Sequence, residues 1–179
     1  MLRTSLPLNY IKRTFRPLYG WTQATPKSGF LDPSWDRSKA IFPGMVVTKT
    51  TGNNYTLIGS ASGTAVSQQP AGFIAQFVGG NGVDELLEAG INAIGVWQLG
   101  PDAEFEVLAP AFDPTQNWAV DLGSGTDSLI YASTSGTNQG QLIPASAASS
   151  GSIPVARLIQ VESPSSIIIG GLTVRTPAI

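Results

Sequence analysis

Few side chains in this 179-residue chain could do chemistry, and they are unevenly placed. Glu104 and Glu106 stand two residues apart in the run Glu-Phe-Glu-Val-Leu, a spacing that puts both carboxylates on one face of a strand. Asp84, Glu85 and Glu88 crowd a second short stretch. Paired acids can serve glycoside hydrolysis or hold a hard cation such as calcium. No third ligand is signalled near either group, and a solvated face accounts for both. Histidine and cysteine are absent, which removes the commonest general base, the thiolate nucleophile and the usual zinc ligands. A serine nucleophile would then need a lysine base, and Lys12, Lys27 and Lys39, three of the four lysines, lie among the first 40 residues. The glycine runs at 79–82 and 123–125 lack the Gly-Lys-Ser/Thr ending of a phosphate loop and read as turns. The expectation is a protein that is not an enzyme, with no catalytic residue, no cofactor and no resident metal.

Charge divides the chain more sharply than its net value of −2 suggests. Residues 1–50 hold eight Lys or Arg against Asp32 and Asp36, a balance of +6, and residues 51–179 hold Arg157 and Arg175 against ten acids, a balance of −8. A basic front is joined to an acidic body. No run approaches the length of a membrane span and no apolar h-region follows the N-terminal cations, so the expectation is a soluble chain, intracellular at synthesis.

The body reads as β throughout, with short β-branched and aromatic runs between Gly, Pro, Asn and Ser clusters. Expected strands are Met45–Lys49, Tyr55–Ile58, Gly72–Val78, Ile91–Leu99, Glu104–Leu108, Trp118–Leu122, Ser128–Ala132, Val155–Val161 and Ser166–Val174. Thr-Thr-Gly-Asn-Asn at 50–54 supplies a tight hairpin between the first two. Val83–Gly90 reads as a turn or two of helix or as an irregular loop. Ser133–Ser152 is small and polar apart from Leu142 and Ile143, which predicts a long Ser/Gly/Ala-rich surface loop or a loosely held strand pair. The fold class expected is all-β, a small barrel, β-tulip or sandwich over 41–179.

Residues 1–40 read differently. Pro7, Pro17, Pro26 and Pro33 fall too close together for a stable helix. Tyr10, Phe15, Tyr19, Trp21, Phe30 and Trp35 are costly to leave in water. A long extended N-terminal arm that lies on a partner fits both facts, with Lys12, Arg13 and Arg16 adding charge to those six aromatics as partner-binding residues.

The runs IFPGMVVTKTTGNNYTLIG at 41–59, QPAGFIAQF at 69–77, VWQLGPDAEFEVLAPAF at 96–112 and PVARLIQVE at 154–162 resemble the head decoration, or cement, proteins of tailed bacteriophages. The resemblance implies a structural virion protein on the capsid exterior, reaching it from the host cytoplasm during assembly. It implies the major capsid protein as partner, self-association as a homotrimer and no catalytic residue. Two other readings stay open. A tail or receptor-binding β-protein would use the acidic body to recognise a surface, and a nucleic-acid binder would use the basic, aromatic arm to follow phosphates and stack bases.

Overall fold

Alternation sets the strands whose two faces meet different surroundings. In Glu104–Leu108, Phe105 and Val107 are buried and the residues between them are half-exposed. Ala93–Gln98 does the same with Ile94 and Val96. The computed structural model describes residues 14–33, 35, 39–59, 69–75, 93–118 and 128–172. These form β1 (Phe15–Tyr19), η1 (Trp21–Gln23), β2 (Thr25–Leu31), β3 (Val46–Lys49), β4 (Asn54–Leu57), β5 (Pro70–Ile74), β6 (Ala93–Gln98), β7 (Glu104–Leu108), β8 (Ser128–Ala132), β9 (Leu142–Pro144), η2 (Ala145–Ala147), β10 (Ala156–Ser163) and β11 (Ser166–Gly170), with η marking single 3₁₀ turns.

Five strands close a barrel in the order β2-β4-β3-β5-β6, and the other six make a sheet in the order β1-β7-β11-β10-β8-β9. Every pairing is antiparallel except that of β2 with β4. Barrel and sheet share one core. Phe15 of β1 stacks on Phe105 of β7 with ring centroids 4.6 Å apart and on Phe73 of β5 at 5.5 Å, and Trp97 of β6 tilts over Phe105 at 6.1 Å. The Pro43-Gly44 turn closes beneath them, Met45 N donating to Phe42 O at 3.0 Å. Gly44 takes a φ of +95°, and an added Cβ would sit 3.1 Å from the Phe15 ring, so a side chain there meets both strain and crowding.

The chain leaves the sheet for the barrel between β1 and β2 and returns between β6 and β7. The two crossings touch. Gln23 Nε2 donates to Asp102 Oδ2 at 3.0 Å, and Gly20, with φ of +56°, lies so close to the Asp102 carbonyl that a Cβ would collide with it.

An all-β chain with a barrel is what the residue pattern predicts. Glu104–Leu108 and Ser128–Ala132 form with the expected bounds, and the 50–54 hairpin closes through Thr50 N to Asn54 O at 2.8 Å. Three findings depart from expectation. Within the stretch assigned to an arm ahead of the body, Phe15–Tyr19 and Thr25–Leu31 are extended but paired, β1 along β7 and β2 along β6, with the η1 turn between them. Inside Ser133–Ser152, Leu142–Pro144 is a buried strand on β8, held from the other side by Leu142 N to Ala111 O and Asp113 N to Leu142 O, both 3.0 Å. Ser166–Val174 is a strand only as far as Gly170, Gly171 N still donating to Ala103 O at 3.1 Å, and 173–174 lie outside the described residues. The 83–90 segment with Asp84, Glu85 and Glu88, and all of Trp118–Leu122 but Trp118, lie outside the described residues.

Candidate functional site

The front strands carry an exposed face. Arg16 to Tyr19 in β1 and Thr25 to Ser28 in β2 are all solvent-exposed. Of the large hydrophobic side chains most exposed among the described residues, three sit here: Tyr19 at 71%, Phe30 at 47% and Leu18 at 44%. Lys27 adds a cation, and no acid interrupts the chain from Thr14 to Leu31. Apolar and cationic side chains thus stand exposed on both strands, although Arg16 and Tyr19 lie opposite Glu106 and Glu104 of β7.

The nine residues expected to bind a partner part company here. Arg16, Tyr19 and Phe30 lie on the exposed face. Phe15, 8% exposed, and Trp35, 4% exposed, are core side chains of this chain's own body and are not available to a partner. Both are drawn inward because the body supplies what an outside surface was expected to supply, the Phe73 and Phe105 rings in the case of Phe15. Trp21 falls in η1. Tyr10, Lys12 and Arg13 lie outside the described residues. Leu18 and Lys27 are additions that composition did not single out. No local alternation marks them, because Arg16 to Tyr19 and Thr25 to Ser28 are exposed along their whole length.

Electrostatics at this face is set by β7. Arg16 Nε pairs with Glu106 Oε2 across the β1–β7 ladder, and Ser166 Oγ of β11 donates to Glu106 Oε1 at 2.9 Å. The expected Glu104/Glu106 pair is therefore split, with Glu106 committed to a cation and a hydroxyl. Among the described residues no group of three acids gathers as a metal site would require.

A second polar node lies at the far margin of the sheet. Asp113 is buried, 3% exposed, and takes hydrogen bonds from Thr115 N (3.0 Å), Thr115 Oγ1 (2.6 Å), Gln116 Nε2 (2.9 Å) and Asn138 Nδ2 (2.9 Å). Burial pushes its pKa up, but these donors together outweigh burial and hold it below the ordinary carboxylate value. The Asn138 bond ties the 109–118 connection to the β8–β9 hairpin. Beside it, a recess of about 420 Å³ is floored by Phe42, Met45 and Leu57. Its one charged lining residue, Lys39, bonds Gln139 Oε1 at 2.6 Å, and Gln139 Nε2 reaches Ile58 O at 2.9 Å. These groups clip the hairpin to the barrel and present no nucleophile beside a base.

No curated protein and no solved structure matches this chain. Residues 1–176 match the phage cement protein family, a span that runs through β1, β2 and every strand of the body. With nearly its whole length in that match, the chain belongs to the phage cement protein family.

Proposed function

We propose that this protein decorates the outer surface of a phage head and braces the joints between major capsid subunits, docking through the exposed face of β1 and β2. The phage cement protein family is one of structural, capsid-associated virion proteins and not a family of enzymes, which supports this reading. The observation that carries the docking assignment is the exposure of Leu18, Tyr19 and Phe30, with Lys27, on the two strands of the basic front. Tyr10, Lys12 and Arg13 precede β1 in the sequence and carry the same residue chemistry. Capsid bracing needs broad contact repeated many times, which a trimer presenting three such faces supplies through multivalency.

Purified protein added to heads stripped of it tests this reading. Tight binding at a copy number equal to that of the major capsid protein, which is one trimer per three of its copies, is expected, with loss of binding in the Tyr19→Ala/Phe30→Ala variant. Binding of only a few copies per particle would move the protein to the tail, and full binding by the variant would move the docking face elsewhere.

A further inference from the structure

β1 and β2 each leave one margin without a partner strand among the described residues. Main-chain groups alternate sides along a strand, and a few bonds fix which side each residue addresses. Leu108 N donates to Thr14 O at 2.8 Å, so Thr14 and Arg16 address β7 while Phe15 and Pro17 turn to the open margin. In β2, Phe30 N donates to Asn53 O at 2.9 Å and Asp32 N to Tyr55 O at 2.8 Å, so Pro26 and Ser28 turn to that same side. β4 pairs with Phe30 and Leu31 alone. From Thr25 to Ser28 the side is therefore open, although β6 runs along the other. On each open margin an outward-turned position is proline, and both Pro17 and Pro26 are exposed.

An exposed margin of extended chain carrying Leu18, Tyr19 and Phe30 is a template for pairing with another copy. Proline removes the N–H that a pairing strand would bond, and its ring stands where that strand would approach. The opposite edge of the six-stranded sheet is protected by another means, since Leu142 of β9 is already bonded to Ala111 and Asp113.

We propose that Pro17 and Pro26 are edge guards that keep free copies of this chain from joining strand to strand through β1 and β2, so that the face meets its partner through side chains alone. The inference concerns the unbound protein and does not depend on what the face docks to. The test compares the full chain with its Pro17→Val/Pro26→Val variant by light scattering over a concentration series and by amide exchange. The variant is expected to keep the wild-type circular dichroism and to associate beyond the wild-type state at a concentration about tenfold lower, the effect of one or two added hydrogen bonds. Slowed exchange at 15–19 and 25–28 is expected to accompany it, and placing Lys at 18 and 30 in the same background is expected to reverse it. A folded variant that associates no more than wild type, or that associates with exchange at both strands unchanged, overturns the proposal. Should the double variant not fold, each single substitution is read in the same way, and failure of both to fold would make the prolines parts of the fold and reject the guard role.

Discussion

Phe15 and Tyr19 sit four residues apart on one short strand and do opposite work. Phe15→Ala empties a site between two rings at the meeting of barrel and sheet, and a loss of about 3–5 kcal/mol in urea unfolding is expected. Tyr19→Ala removes an exposed ring and is expected to change stability by no more than about 0.5 kcal/mol. The Arg16–Glu106 pair spans the ladder with its arginine in solvent, and such pairs contribute about 0–1 kcal/mol. Asp113 is the residue with a pH signature. A carboxyl held below its ordinary pKa in the folded chain stabilises that chain at neutral pH, and the contribution is lost as pH falls past the unfolded value near 4 and through the folded one. Melting curves from about pH 7 down to about pH 2 should therefore fall more steeply for wild type than for Asp113→Asn. At neutral pH the variant should be weaker by about 1–3 kcal/mol, because Gln116 and Asn138 then point N–H groups at an amide.

Truncation locates how much of the front segment the fold requires. Removing residues 1–13 takes away no described strand and is expected to leave the far-ultraviolet spectrum and melting transition in place. Removing residues 1–31 deletes β1 and β2, opens the barrel between β4 and β6 and strips Phe15 from the core, so an aggregating or unfolded product is expected. Circular dichroism of the two products checks both. The body strands were legible because their burial alternates within a few residues, as Phe105 and Val107 do. β1 and β2 were not, because Thr25 to Ser28 is exposed on both faces and shows no period of two, and because a proline in an edge strand looks like a break until the partner on its other side is known. β9 was hidden for another reason. Three residues are too few for a pattern, and Leu142 is held by bonds to 111 and 113, which no local reading of 133–152 contains. At the candidate site, charge and aromatic content pick out the front stretch of chain, but that Phe15 faces in was decided by Phe73 and Phe105, at least 58 residues away along the sequence.

At the scale of the whole molecule, the exposed apolar and cationic side chains of the front strands make two attachment forces compete. Exposed ion pairs are screened at about 1 M salt, where the Debye length is about 3 Å, whereas a fully buried ring contributes about 1.5–3 kcal/mol. Capsid binding followed through a salt series is therefore expected to weaken by about tenfold or less, and Tyr19→Ala with Phe30→Ala by more than about a hundredfold. A steep salt dependence with little effect of the ring substitutions would instead mark an electrostatic tether. The front segment also has a mechanical meaning. It enters the sheet at Phe15, crosses at Gly20 and continues directly into the barrel. A pull on the N-terminal segment directed along β1 strains the β1–β7 rungs in shear, all together, and what passes beyond them is taken up by β2 against β6. If capsid subunits grip that segment as proposed, then when a pressurised shell swells their load falls on two β-units in series, and the chain resists expansion as a tendon does and not as a slack leash.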